Sequence, residues 1–175
     1  MWRNNQTEMK KVLILDNEAI QQKTIRIAYQ IVEDNYDEDE LVIIGIKPNG
    51  FQYAQQLKKE IDAIDGVKVT LIELEFNKTK PLETTIKLEL GKKTLDNKTV
   101  IIVDDVANTG KTLYYALKPV MEFSPKKVQA VVLVDRQHKL FPVSPDFVGL
   151  SLSTTLQEHI IVEFDAKGAG AAYLS

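Results

Sequence analysis

Two stretches of this chain, residues 41–46 (LVIIGI) and 99–103 (TVIIV), are apolar at almost every position. A strand with one face in water alternates apolar and polar side chains, whereas an unbroken apolar run needs cover on both faces. Each run therefore predicts a strand inside a sheet that has helices above and below it. Residues 127–134 read as a further strand, and residues 67–76 alternate through Val67, Val69 and Leu71. Residues 11–15 form a short apolar run, and residues 147–152 and 160–164 look like late short strands.

The intervals carry helical spacing. Asp16 predicts an N-cap for a helix over residues 17–33, with Ile20, Ile27, Ala28 and Ile31 on one side. Pro48, Asn49 and Gly50 form a turn signal, followed by a helix over residues 51–64 with Ala54, Leu57 and Ile61 inward. A third helix is predicted over residues 112–123, with Leu113, Ala116, Leu117 and Val120 inward. Residues 33–40 are acidic and read as a solvated loop. Residues 77–97 are polar, carry Lys78, Lys80 and Lys87, and read as a mobile hairpin or loop. Residues 135–145 read as irregular, and the tail over residues 166–175 is rich in Ala and Gly.

Strands alternating with helices predict an α/β protein with a parallel sheet flanked by helices. The 175 residues contain no inter-domain linker and no repeat, so residues 11–175 are read as one domain after a polar extension over residues 1–10. With 44% hydrophobic and 27% charged residues, a packed core is expected and disorder is not. The chain has no Cys, which excludes disulfides and thiolate metal sites and suits the cytosol. No run approaches the roughly 18 apolar residues of a membrane helix. The net charge of −3 argues against a general nucleic-acid binder, while a small anionic ligand needs only a local positive field.

In parallel sheets of this kind, ligands sit beyond the carboxyl ends of the strands. That directs attention to the loops after Ile46 and after Val103. Residues 100–112 read V-I-I-V-D-D-V-A-N-T-G-K-T. A buried strand ends in two adjacent carboxylates, a short loop follows, and a helix begins. A phosphate placed there meets unpaired helix amides and the positive end of the helix dipole. Thr109 and Thr112 add hydroxyl donors, and Gly110 permits close backbone approach. Lys111 adds charge or faces solvent. Asp104 and Asp105 would repel a phosphate, but as acceptors they suit a vicinal diol. A phosphate subsite beside a diol subsite describes a ribose 5-phosphate. The Gly-Lys-Thr at residues 110–112 does not make a nucleotide-binding P-loop, because that pattern needs Gly where Asp105 stands.

The run over residues 100–112 resembles the diphosphoribosyl-binding signature of the type I phosphoribosyltransferases. Ile25-Arg26-Ile27-Ala28, Val134-Asp135-Arg136-Gln137-His138 and Pro145-Asp146-Phe147-Val148-Gly149 are similar to the branch of pyrimidine operon attenuation proteins that are also uracil phosphoribosyltransferases. The likeness extends over about residues 11–165. It implies a type I phosphoribosyltransferase fold with a small hood and a flexible loop, the latter falling at residues 76–91. It implies that Asp104 and Asp105 hold the ribose 2′ and 3′ hydroxyls and that Ala107, Asn108, Thr109, Gly110, Lys111 and Thr112 hold the 5′-phosphate. It implies that Lys47, Pro48, Asn49 and Gly50 grip the pyrophosphate of phosphoribosyl pyrophosphate. Relatives often carry Arg at the position of Asn49, and Lys47 is the nearby replacement charge.

Purine-using relatives carry an acid at the position of Asn108 and Lys at the position of Asp135, so both residues speak against a purine base. Asp135 either binds a base or pairs with Arg136 or another cation. His138 falls in the expected hood region, with a base-site or a structural role. The implied reaction transfers the phosphoribosyl group to a nucleobase such as uracil, with Mg²⁺ held mainly by the pyrophosphate. Two other readings stand beside it: an RNA-binding attenuator sensing nucleotides through the same pocket, for which Lys23, Arg26, Lys126 and Lys127 are the available cations, and a silent ribose-phosphate binder. Relatives form homodimers or homotetramers in the cytoplasm, and the same is expected here.

Overall fold

The computed structural model describes residues 11–64, 66–82, 85–91, 93–155 and 158–175. The N-terminal extension read from the sequence lies outside these residues.

Six strands form the main sheet, in the order β4-β3-β2-β5-β6-β7. These are β2 (Glu40–Ile46), β3 (Lys68–Glu75), β4 (Lys87–Leu88), β5 (Thr99–Ala107), β6 (Lys127–Arg136) and β7 (Phe147–Leu152). All pairings are parallel except β3–β4, where the two-residue β4 closes the edge antiparallel. The predicted parallel sheet between helices is therefore present.

Successive residues of the central strands serve opposite faces. Leu41, Ile43, Ile101, Val103 and Val131 pack with α1 (Asn17–Asp34) and α2 (Asn49–Asp62). Val42, Ile44, Val100, Ile102 and Val132 pack with α3 (Lys111–Val120) and with Leu95. This two-sided burial is why runs 41–46 and 99–103 are apolar at every position but Thr99. The predicted Asp16 cap is present, its Oδ1 accepting from the Ala19 amide at 2.8 Å.

Two features differ from the sequence reading. First, β5 does not stop at Val103. Val106 and Ala107 pair with Val134 and Asp135 on β6, so the acid pair lies within the strand and the connecting loop shrinks to Asn108, Thr109 and Gly110. Secondly, α2 begins at Asn49, so the turn before it consists of Lys47 and Pro48, joined by a cis peptide. A second, three-stranded antiparallel sheet, β1-β9-β8, forms the hood. It combines β1 (Val12–Leu15) with β8 (Ile160–Phe164) and β9 (Gly170–Leu174), so the first and last described strands meet there. The Ala- and Gly-rich tail thus supplies a strand that its composition concealed. His138 lies outside this sheet, in the segment after β6.

Candidate functional site

The chain direction across the sheet reverses between β2 and β5. From β2 the path runs through α2 to β3 on one side, and from β5 through α3 to β6 on the other. Such a reversal opens a crevice at the carboxyl ends of the two strands, where α/β proteins bind ligands. Here the crevice is flanked by Lys47 and Asn49 after β2 and by Asp104 through Gly110 on β5 and its loop.

Asp104 is almost fully buried at 1% exposure, and Asp105 is 9% exposed. The sequence reading left both carboxylates open to a sugar, whereas the structure covers them with a cation. Lys78, from the segment after β3, lies 2.8 Å from Asp104 Oδ1 and 3.7 Å from Asp105 Oδ1. Burial, and next the charge of Asp105, push the Asp104 carboxyl well above the ordinary carboxylate range, while Lys78 pulls it back down. Burial works against the Lys78 ammonium, but the two carboxylates outweigh it and hold its pKa above the usual lysine value. Lys78, which belongs to the segment expected to be flexible, is the cation that pairs with both carboxylates.

The turn after β2 is tied to the same acids. Asn49 Nδ2 donates to Asp105 Oδ2 at 3.3 Å and to the Val162 carbonyl of β8 at 2.8 Å, so it links the acid pair to the hood. Lys47 forms an ion pair with Glu73 on β3, and that hydrogen bond raises the Lys47 pKa. Gly50 is where α2 meets β5. A Cβ at this position would lie 2.8 Å from Asp104 Cα, Asp104 Oδ1 and the Val103 carbonyl. Only a glycine lets the first turn of α2 sit against the end of β5.

The loop after β5 turns through Gly110, whose φ of +83° is left-handed. Residues 106–113 line a small concavity of about 40 Å³. The Tyr114 amide closes the first helical bond to the Gly110 carbonyl at 2.9 Å. The amides before it lie outside the helix's own bonds, and that of Lys111 reaches only Thr109 Oγ1, at 3.4 Å. Helix polarity and the amides left outside the helix's own bonds make this concavity suitable for an anion. Lys111 does not point to open solvent: its ammonium reaches the Thr79 carbonyl at 3.0 Å, joining this loop to the segment that carries Lys78. Asn108 is exposed, and Thr109 and Thr112 are half-buried.

The residues expected near the base are more scattered. Asp135 is paired by Lys139, a residue the sequence reading passed over. Arg136 is buried and committed to the segment after β7, its Nε donating to Thr154 Oγ1 at 2.5 Å and its guanidinium to the Thr155 carbonyl at 2.6 Å. His138 is half-buried, with its amide bound to the Arg136 carbonyl at 2.8 Å. Lys139 sits four residues beyond Asp135 in a non-helical segment, where no periodicity signals the pairing.

The family model for the phosphoribosyl transferase domain matches residues 13–167. The chain belongs to that family. With it, the chain is a pentosyltransferase, and its curated relatives place it in the PyrR branch. The bifunctional protein PyrR of Limosilactobacillus fermentum is 37% identical over 161 residues, covering 86% of this chain and 90% of that one. PyrR of Brevibacillus brevis is 36% identical over 162 residues, covering 89% and 90%. Among solved structures, hypoxanthine phosphoribosyltransferase of Trypanosoma cruzi superposes with a TM-score of 0.74 at 18% identity, covering 91% of this chain and 94% of that one. A hypoxanthine-guanine phosphoribosyltransferase of Bacillus anthracis gives 0.71 at 24%, covering 86% and 87%. These two likenesses speak to the phosphoribosyltransferase fold alone.

Proposed function

We propose that this phosphoribosyltransferase transfers the 5-phosphoribosyl group from phosphoribosyl pyrophosphate to a pyrimidine such as uracil, releasing pyrophosphate. The observation that carries the reading is the juxtaposition at the end of β5. Two carboxylates able to accept from vicinal hydroxyls stand directly before a concavity of amides able to hold a phosphate. In this reading the amides of residues 109–113 and the hydroxyls of Thr109 and Thr112 bind the 5′-phosphate. Asp104 and Asp105 accept from the ribose hydroxyls once Lys78 yields them. Lys78, released, has its ammonium beside the departing pyrophosphate. The bond from the anomeric carbon to pyrophosphate oxygen breaks, a bond to a nucleobase nitrogen forms, and the proton that nitrogen carried passes to the departing pyrophosphate or to water. Positioning and charge complementarity carry the acceleration.

The acid pair fits a divalent cation as well, since the Lys78 ammonium already occupies the place of one. Mg²⁺, when bound with the donor, would offset charge on the leaving pyrophosphate, with the donor's oxygens supplying most of its ligands and Asp104 and Asp105 standing nearest on the protein side. Closure of the Lys78 segment over the crevice would exclude water from the reacting centre.

The pyrimidine preference rests on Asn108, which is no acid, and on resemblance to the PyrR branch. The Lys139 ammonium beside Asp135 is engaged by that carboxylate and by backbone carbonyls, which leaves it little capacity for a base oxygen. RNA binding is the second reading, favoured by the PyrR relatives. Two of its four cations are paired with acids, Lys126 with Glu38 and Asp37 and Lys127 with Asp34, while Arg26 keeps its charge and is committed to the Val148 and Gly149 carbonyls. A salt-steep RNA interaction needs such cations to be available to phosphates, so the enzyme reading is preferred.

A turnover screen with phosphoribosyl pyrophosphate, Mg²⁺ and uracil, hypoxanthine, guanine, adenine or xanthine tests the proposal. Pyrophosphate release with uracil above all others supports it. Absence of turnover with every base, together with no rise in melting temperature at millimolar donor, overturns it.

A further inference from the structure

Three consecutive carbonyls, that of Ala107 at the end of β5 and those of Asn108 and Thr109 in the loop after it, are held from one side by one short segment. Lys139 Nζ reaches the Ala107 carbonyl at 3.5 Å and the Asn108 carbonyl at 3.4 Å. The amides of Leu140 and Phe141 donate to the Thr109 carbonyl at 2.9 and 3.0 Å. The Lys139 stem lies across the turn, its Cδ 3.6 Å from where a Cβ on Gly110 would stand. The ammonium is itself fixed by the Asp135 carboxylate and by the Arg136 carbonyl at 2.9 Å. Asp135 in turn is fixed by β6, where it stands in register with Ala107.

In a planar trans peptide the carbonyl and the next amide point in opposite directions. Drawing the carbonyls of residues 107, 108 and 109 toward residues 139–141 therefore turns the amides of Asn108, Thr109 and Gly110 the other way. Among the described residues, the Thr109 and Gly110 amides meet no backbone acceptor. From this we infer that Lys139 is a positioning residue for phosphate recognition: anchored by Asp135, it holds the loop carbonyls on one side so that the loop amides present a cradle on the other. The inference rests on the reading that residues 107–112 bind the 5′-phosphate. Lys139 does not touch the phosphate in this scheme. It also gives Asp135 a role different from base recognition, which explains why an acid rather than a base-reading cation stands there.

The alternative is that Lys139 merely packs the loop, and the two differ in what they do to separate ligands. Calorimetric titration of the full chain compares the native protein, Lys139→Met and Lys139→Arg. The probes are ribose 5-phosphate and magnesium pyrophosphate, the latter served by the turn after β2. Lys139→Met keeps the stem and removes the donors, so ribose 5-phosphate should weaken by about tenfold or more, as for lost charge-assisted hydrogen bonds. Magnesium pyrophosphate should hold its affinity, and Lys139→Arg should recover most of the loss. Equal ribose 5-phosphate affinity in the native protein and Lys139→Met overturns this inference alone. So does a parallel loss of both ligands accompanied by a lowered melting temperature, the mark of a structural role. If the native protein binds no ribose 5-phosphate at all, the function proposed above falls and takes the inference with it.

Discussion

The Lys78 ammonium lies 2.8 Å from Asp104 Oδ1, so a side chain from the segment after β3 holds a carboxylate buried at the end of β5. The pair spans 26 residues of sequence and joins the part of the molecule expected to move to the part that cannot. Removing the cation alone leaves two buried carboxylates facing each other. Lys78→Met should therefore destabilise the ligand-free protein by about 1–3 kcal/mol near neutral pH, less than the loss on breaking a fully buried pair because Lys78 keeps partial solvent contact. In an Asp104→Asn background the same change should cost less, the remainder coming from the longer Lys78–Asp105 contact at 3.7 Å. Urea unfolding of the four proteins in this cycle reads the coupling directly. Equal costs in both backgrounds would show that the ion pair contributes no coupling.

Asp104 also sets a pH dependence. Burial first, and then the neighbouring Asp105, raise its pKa in the folded chain against the lowering by Lys78. The folded state then holds a proton that the unfolded state has already released. Stability from this group is fully present below the ordinary carboxylate range and is lost as the pH rises through the raised value. Ligand-free unfolding free energy measured across that interval should decline, and Asp104→Asn should flatten the decline. A native protein whose stability climbs through the same interval would contradict the assignment.

At Gly110 the backbone, not a side chain, is at stake. Its φ of +83° disfavours any residue with a Cβ, and that Cβ would stand 3.2 Å from the Phe141 carbonyl and 3.3 Å from that of Val143. Gly110→Ala should cost about 1–2 kcal/mol through left-handed strain. It should weaken ribose 5-phosphate binding as well, because relief of the strain rotates the peptides that form the cradle. A melting curve and a titration on the same sample separate the two effects. Intact affinity in a destabilised protein would remove this loop from the phosphate site.

Much of this architecture was legible in the sequence because local rules and burial agreed. The runs 41–46 and 99–103 are apolar on both faces, and both faces are covered. Asp16 caps its helix as the spacing demands. The acid pair and the Gly-Lys-Thr that follows fall where a strand meets a helix, so the candidate site could be located before any contact was known. What stayed hidden depends on partners distant in sequence. Nothing local shows that β5 continues past the two acids, since Val106 and Ala107 are strand residues only because Val134 and Asp135 lie beside them. Composition marks residues 166–175 as a tail, yet β8 and β1 make part of it a strand between them. The closing of Lys78 onto Asp104, and of Lys139 onto the loop after β5, are side-chain choices that no spacing rule encodes.

The close approach of α2 to β5 yields the most discriminating substitution. A Cβ on Gly50 would meet Asp104 Cα and the Val103 carbonyl at 2.8 Å, and neither can swing aside as a flexible side chain would. Gly50→Ala must push the first turn of α2 away from the strand end. Overpacking of this kind costs about 1–3 kcal/mol, and the displacement also carries Asn49 away from Asp105 and from the Val162 carbonyl. The acid pair would lose a neutral donor while its mutual repulsion persists. Affinity for phosphoribosyl pyrophosphate should therefore fall further than the stability loss implies, with ribose 5-phosphate less affected because the β5 loop keeps its own supports. If Gly50→Ala melts lower but binds both ligands as tightly as the native protein, the turn before α2 has no part in holding the donor, and Asn49 is only a strut between the sheet and the hood.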